Sequence, residues 1–105
     1  AKTGQFDKAL EVAQGIKGNT SASYAYSGIA QAMALTGQFD QALQITQKVS
    51  DSGIRSNALS QVATAMARAG QFDASLKVAQ TIGDPLTRLD TLARIINAIK
   101  SQKQQ

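Results

Sequence analysis

Apolar and small residues along the chain follow a helical spacing that occurs in two alternating versions. In the first version these residues lie 3, 1, 3 and 3 positions apart, which places them on one face of an α-helix. Its three copies are Phe6, Ala9, Leu10, Ala13 and Ile16, then Phe39, Ala42, Leu43, Thr46 and Val49, then Phe72, Ser75, Leu76, Ala79 and Ile82. The second version lies between and after these copies. We therefore predict an all-α chain of about six helices of two alternating kinds.

Helices of the second kind are predicted at roughly 20–35, 54–69 and 85–101. Their apolar stripes are Tyr26, Ile29, Ala30 and Met33, then Leu59, Val62, Ala63 and Met66, then Leu92, Ile95, Ile96 and Ile99. Capping residues predict where these helices begin, namely Thr20 or Ser21, Asp51 or Ser52, and Asp84 before Pro85. The small Ala30 and Ala63 allow a neighbouring helix to approach closely.

A four-residue motif, Gly-Gln-Phe-Asp, joins each helix of the second kind to the next helix of the first kind. Its copies begin at Gly4, Gly37 and Gly70, so the motif recurs every 33 residues. A fixed period of this size is typical of stacked repeats. The glycine suits a left-handed residue just after a helix. The aspartates, Asp7, Asp40 and Asp73, are expected in the first turn of the next helix, at the positive end of its dipole.

The period divides the chain into one domain with a half-repeat at 1–18, repeats at about 19–51 and 52–84, a terminal helix at 85–101 and a frayed tail at 102–105. The terminal helix is predicted to close the stack, because its outer positions are polar. These positions are Arg88, Asp90, Thr91, Arg94, Asn97 and Lys100.

The front of the chain has no comparable cap. Residues 1–3 stand where the other copies have the end of a helix, so we expect the sequence to be cut from a longer array. The helix at 5–17 then lacks a neighbour on one side, and we expect self-association through that face.

Composition narrows the chemistry that the chain can perform. The 105 residues are 43% hydrophobic and include no His and no Cys. Disulfides, thiolate metal sites and the commonest general base are therefore ruled out, and nothing in the sequence predicts catalysis, a cofactor or a metal site. Its hydrophobic runs are too short for a membrane span. No compartment can be identified, and the cytoplasm is only the default assumption.

The net charge of +4 is confined to the second half of the chain. Residues 1–54 carry four basic and four acidic side chains, whereas residues 55–105 carry seven basic and three acidic ones. This imbalance has two interpretations, a solubilising end or a docking site for an acidic partner.

The repeated motif resembles that of the tetratricopeptide repeat, whose helix pairs are joined by a Gly-x-Tyr/Phe-Asp-x-Ala-Leu turn. Residues 37–43 and 4–10 fit this pattern, and residues 70–76 fit it except that Ser75 replaces the Ala. A small residue seven positions before the glycine is present as Ala30 and Ala63. The period of 33 is one residue shorter than the family's 34. Met also replaces the large aromatic residue that the family places late in the first helix.

The resemblance implies a right-handed α-solenoid of antiparallel helix pairs, with a concave groove that binds a protein or peptide segment. The groove positions that it implies are Tyr24, Ser27, Gln31, Asn57, Ser60, Thr64, Arg68, Asp90, Arg94, Asn97 and Lys100. The Lys and Asn clamp by which the best-known members hold a carboxylate is absent, because Ser27 with Gln31 and Ser60 with Thr64 stand in its place. Because the second half of the chain is basic, a ligand is expected to be acidic where it meets the C-terminal end of the groove.

Two alternatives remain open beside the peptide-binding groove. One is an architectural role, in which the repeats space other domains or stack end to end. The other is single-stranded RNA binding, as in the pentatricopeptide repeat. Residues at the base-reading position of that family are Gly28, Gln61 and Arg94 rather than the usual Asn, Ser or Thr, and no basic track follows the chain. The sequence therefore argues against a nucleic-acid partner.

Overall fold

The computed structural model describes the backbone of residues 2–103 and the side chains of residues 5–102. Its helices are α1 (Lys2–Gln14), α2 (Asn19–Leu35), α3 (Phe39–Thr46), α4 (Ser52–Arg68), α5 (Phe72–Gln80) and α6 (Pro85–Lys103). Residues 2–103 contain no strand. The predicted all-α class with about six helices is confirmed. No helix in this range is long and apolar enough to cross a membrane.

Long and short helices alternate along the chain and occupy different places in the fold. The long helices α2, α4 and α6 lie side by side, because α4 contacts both of the others. Each short helix packs against the long ones: α1 contacts α2, α3 contacts α2 and α4, and α5 contacts α4 and α6. Within residues 2–103 the short helices do not contact one another. The long helices therefore form a row, and the handedness of any longer superhelix stays a prediction.

The glycine of the repeated motif ends a long helix at two of its three copies. Gly37 has φ 85° and Gly70 has φ 86°, in the left-handed region that glycine adopts without a steric penalty. The Gln38 N–H donates to the Met33 carbonyl at 2.9 Å, and the Gly37 N–H donates to the Ala34 carbonyl at 3.1 Å. This pair of bonds is a Schellman motif, and the same pair recurs around Gly70.

The prediction for the first copy of the motif was wrong. Gly4 lies inside α1, which runs without a break from Lys2 to Gln14. The turn needs a preceding helix whose last carbonyls accept its N–H groups, and no such helix precedes α1 in the described residues. Asp7 is consequently in the second turn of α1, whereas Asp40 and Asp73 do lie in the first turns of α3 and α5.

Equivalent positions, one repeat apart, precede each long helix. Asp51 caps α4, since its Oδ1 accepts from the Ile54 N–H at 2.9 Å. Asp84 precedes α6 and accepts from the N–H of Thr87 at 3.0 Å and from its hydroxyl. The prediction of Thr20 or Ser21 as the start of α2 was wrong, because the equivalent cap is Gly18, which offers no side-chain acceptor.

The two sets of predicted apolar stripes meet between the short and long helices. Ala30 and Ala63 are completely buried, which confirms that they allow close approach. Val49 and Ile82 are also completely buried although they follow the ends of α3 and α5, so the short helices are shorter than the stripes suggested. The core is assembled from many small and medium side chains.

Hydroxyl groups buried between helices are hydrogen-bonded. The Ser75 hydroxyl, which replaces the alanine of the motif, donates to the Ala63 carbonyl at 2.6 Å. The Thr91 hydroxyl of α6 lies 2.6 Å from the Ser60 hydroxyl of α4. These bonds avoid the penalty of a buried polar group without a partner, and they fix which side of α4 faces α5 and α6.

The predicted polar outer face of the terminal helix is confirmed at Asp90, Arg94, Asn97 and Lys100, which are exposed, but it was wrong at two positions. Thr91 is completely buried, and Arg88 is partly buried because it donates to the Ile82 carbonyl at 3.3 Å. The exposed surface of α6 also carries large apolar residues, among them Leu89 at 67% exposure and Ile96 at 50%. Ile96 had been predicted in the core, but no further helix covers it within the described residues.

The terminal helix also extends beyond its predicted end. Lys103 stands one repeat after Gly70, and without a glycine there α6 continues to that residue instead of turning. Residues 102–103 are therefore helical rather than frayed, and the rest of the predicted tail, 104–105, lies outside the described residues.

At the other end of the fold, one side of α1 is exposed. Val12 on α1 is 67% exposed, whereas its equivalents in the next two repeats, Ile45 and Val78, are buried. The face that was expected to lack a neighbour is thus exposed, and self-association through it stays a prediction.

We predict opposite effects of Gly→Ala at two exposed glycines. Gly37→Ala should lower the free energy of unfolding by about 1–2 kcal/mol, because a Cβ is strained at positive φ. Gly28→Ala should raise it by about 0.5–1 kcal/mol, because Gly28 is inside α2 and a Cβ there meets open space. Urea denaturation measures both, and equal effects at the two sites would contradict the turn geometry.

The hydrogen bonds from the Thr87 hydroxyl and then from its N–H lower the pKa of Asp84 below its ordinary value. Because the folded pKa is depressed, this cap should stabilise the fold above the ordinary carboxyl pKa and lose its effect as the pH falls through the lower value. Thr87→Ala should raise the Asp84 pKa toward normal, and Thr87→Ser should leave it low. NMR titration of the carboxyl carbon distinguishes these outcomes.

Candidate binding groove

The exposed side of the three long helices forms one continuous surface, which we call the open face. Its members recur at spacings of 4, 3 and 4 along each helix. They are Tyr24, Gly28, Gln31 and Leu35 on α2, then Asn57, Gln61, Thr64 and Arg68 on α4, then Asp90, Arg94, Asn97 and Ser101 on α6. Each set keeps to one side of its helix, since this spacing follows the helical period.

Most of the predicted groove residues lie on the open face. They are Tyr24, Gln31, Asn57, Thr64, Arg68, Asp90, Arg94 and Asn97. Lys100 is exposed too, but its equivalent in α4 is the buried Ala67, so it lies to one side of the open face.

Two of the predicted groove residues, Ser27 and Ser60, are buried and line neither cleft of the open face. Ser60 points toward the neighbouring long helix and bonds to Thr91. Ser27 is its equivalent on α2, one repeat earlier. α2 and α4 each turn these serines away from the open face, contrary to the prediction. The positions four residues before Gln31 and Thr64 therefore contribute nothing to the groove.

The sequence reasoning missed four members of the open face, namely Gly28, Leu35, Gln61 and Ser101. Leu35 is 70% exposed at the end of α2, next to the glycine turn. Together with Tyr24 it makes the α2 part of the open face apolar. Its position could have revealed it, because Leu35 is one repeat before Arg68, which had been predicted as a groove residue.

Two adjoining clefts shape the open face into a groove. One, of about 430 Å³, lies between α4 and α6 and is lined by Thr64, Arg68, Arg94, Asn97, Ala98 and Ser101. The other, of about 290 Å³, reaches α2 and is lined by Gln31, Leu35, Gln61, Thr64, Ala65, Arg68 and Arg94. Thr64, Arg68 and Arg94 line both clefts, so the two form one groove that crosses all three long helices.

The groove is basic at its α4–α6 end. Arg68 and Arg94 come from adjacent helices, and neither cleft is lined by an acidic side chain. Arg94 does form an ion pair with Asp90, with Nε and Oδ2 3.1 Å apart, but both side chains are more than half exposed. An exposed pair of this kind is worth little, so a ligand carboxylate can compete for the guanidinium.

Gln61 lines the cleft next to α2, but its amide oxygen is not accessible there. Its Oε1 is buried and receives no hydrogen bond from the described residues. Buried amide oxygens normally accept at least one hydrogen bond, but a ligand donor could reach this oxygen only after the Gln61 side chain rotated toward the groove.

Two other arginines of the basic half belong to the fold rather than to the groove. Arg55 donates to the Val49 carbonyl at 3.1 Å, and Arg88 makes the equivalent bond to Ile82 one repeat later. Each arginine thereby ties the start of a long helix to the loop that precedes it. Of the arginines in the basic half, only Arg68 and Arg94 are therefore available to a partner on the open face.

Another cleft, of about 500 Å³, lies outside the open face, between the start of α4 and the loop before α6. Its charged members Arg55 and Asp84 already bond to helix ends. The groove is therefore the better candidate for a binding site.

Comparison with known proteins adds no relative to this description: no family model, no curated protein and no solved structure matches the chain.

Proposed function

We propose that this chain is a non-catalytic binding module that holds an extended peptide or protein segment in the groove of its open face. The observation that carries the proposal is the pairing of Arg68 and Arg94 across adjacent helices, in a groove lined by no acidic residue. Guanidinium groups bind carboxylates through two parallel hydrogen bonds, which gives both affinity and orientation. The ligand is therefore acidic where it crosses α4 and α6.

The α2 end of the groove selects for a different property of the ligand. Leu35 lines the groove there and is 70% exposed, and α2 carries no charged residue. An apolar ligand side chain would cover Leu35 and remove its apolar surface from water. The expected ligand thus combines apolar residues at one end with acidic residues at the other.

The resemblance of the repeated motif to the tetratricopeptide repeat supports the same proposal, because in that family the first helix of each pair lines the ligand groove. Here the long helices occupy that place. The carboxylate clamp of the best-known members is missing, so Arg68 and Arg94 would take over the recognition of acidic groups.

An architectural role is the second candidate, and it is favoured by a different observation. Large apolar residues are exposed at both ends of the row, namely Val12 on α1 and Leu89 on α6. Such residues are unrelated to the groove, so both functions can exist in one molecule.

The groove proposal predicts that two arginines determine affinity. A fluorescein-labelled peptide with leucines followed by a run of glutamates serves as the probe, measured by fluorescence anisotropy. Arg68→Gln and Arg94→Gln should each weaken binding by about 10-fold or more, as expected for charge-assisted hydrogen bonds.

Lys77→Gln is the matched control, because it removes the same charge from an exposed position on α5. Equal weakening by all three substitutions would show that only net charge matters and would contradict a specific groove. Tighter binding of a single-stranded RNA oligomer than of the peptide, with a steep salt dependence, would favour the nucleic-acid alternative.

A further inference from the structure

An apolar stripe runs along the outer side of α6. Leu86, Leu89, Ala93 and Ile96 are all exposed and lie 3, 4 and 3 positions apart, so they share one helix face. We call these four residues the end stripe. They are separate from the open face, whose α6 members are polar or charged.

The same positions on α4 show what normally covers this side of a long helix. One repeat before the end stripe stand Gly53, Ser56, Ser60 and Ala63. Ser60 bonds to Thr91 of α6, and the Ala63 carbonyl accepts from Ser75 of α5. This side of α4 is thus covered by the next two helices, and the end stripe occupies the place where a further short and long helix would pack.

The end-stripe residues are more apolar than the residues at the equivalent positions of α4, as expected for a surface that becomes buried. Ser56 is 5% exposed and Ser60 is 4% exposed, yet their exposed equivalents are Leu89 and Ala93. Ala63 is likewise replaced by the larger Ile96. A terminal helix that faces water needs a polar outer side, and here the side is more apolar than its buried equivalents.

The front of the chain offers the matching surface. Val12, Ala25 and Ile29 are each more exposed than their equivalents in the next repeat, because no helix precedes α1 and α2 in the described residues. The described chain begins with a short helix and ends with a long one. The α1–α2 pair of a second copy would therefore continue the alternation on α6.

We propose that copies of this chain associate head to tail, with the α1–α2 face of one copy seated on the end stripe of another. If the contacts within one chain are continued by one repeat, they predict which residues of the two copies meet. The Ser60–Thr91 contact becomes Ala93 against Ala25 of the second copy, so two apolar side chains replace two hydroxyls.

The contact of Ser23 with the Asp51 N–H becomes Leu89 against Gly18 of the second copy. Leu89 is larger than Ser23, but Gly18 has no side chain and a Cβ built on it meets open space. Ile96 is larger than Ala63, so the second copy packs farther from α6 than α5 packs from α4. The contact between copies is therefore looser than the internal one.

Charge favours this arrangement over a symmetric pairing of two α6 helices. α6 carries four basic residues and one acidic residue, so two such helices would repel each other. α2 carries no charged residue and α1 carries two basic and two acidic ones. The head-to-tail contact thus sets a basic helix against a neutral pair.

Sedimentation equilibrium over a wide concentration range tests the proposal on the full chain. The unmodified chain should form an open series that grows with concentration. Leu89→Lys and Val12→Lys should each raise the dissociation constant by about 10-fold or more, since each buries a charge at the contact. Tyr24→Lys is the matched control on the open face and should leave association unchanged. Circular dichroism checks that each variant is folded.

Cysteine cross-linking identifies the orientation, because the chain contains no native cysteine. A mixture of Ala25→Cys chains and Ala93→Cys chains should oxidise to a disulfide-linked dimer of the two kinds. A dimer of Ala93→Cys chains alone would show that α6 pairs with α6 and would overturn the proposal. A monomer at every concentration would overturn it as well.

Discussion

The row of long helices depends on small side chains where neighbouring helices meet. Ser60 of α4 and Thr91 of α6 approach to 2.6 Å between their hydroxyl oxygens, and the Ala63 carbonyl is within reach of Ser75 on α5. Larger residues at these positions would force the helices apart, because close-packed interiors do not absorb added volume without strain. This spacing brings Arg68 and Arg94 to one groove and so determines what the open face can bind.

The repeat period explains both the binding surface and the ends. Gly37 and Gly70 stop the long helices at equivalent residues, and Asp51 and Asp84 start them at equivalent residues. Each position therefore has the same neighbours one repeat later, except where the described residues include no further helix. The groove comes from positions that no helix covers in any repeat, whereas the exposed ends come from positions that are covered in every repeat but the last or first.

Periodicity and turn chemistry were enough to predict the fold class, the Gly37 and Gly70 turns and the cap at Asp84. The groove was predicted only in part, because an amphipathic stripe indicates one buried side and α4 is buried on several. Ser60 is polar and looks exposed in the sequence, but it packs against α6. The role of Arg55 depends on a carbonyl in the preceding loop, which no local pattern indicates.

The packing of α4 against α6 is the central claim, and a disulfide between Ser60→Cys and Thr91→Cys tests it most directly. The hydroxyl oxygens at these positions are 2.6 Å apart, close to the separation that a disulfide requires. We predict that the double variant oxidises within one chain and melts at a higher temperature than its reduced form. Failure to form the intramolecular bond, while Asn57→Cys with Thr91→Cys forms it readily, would contradict the register of the long helices.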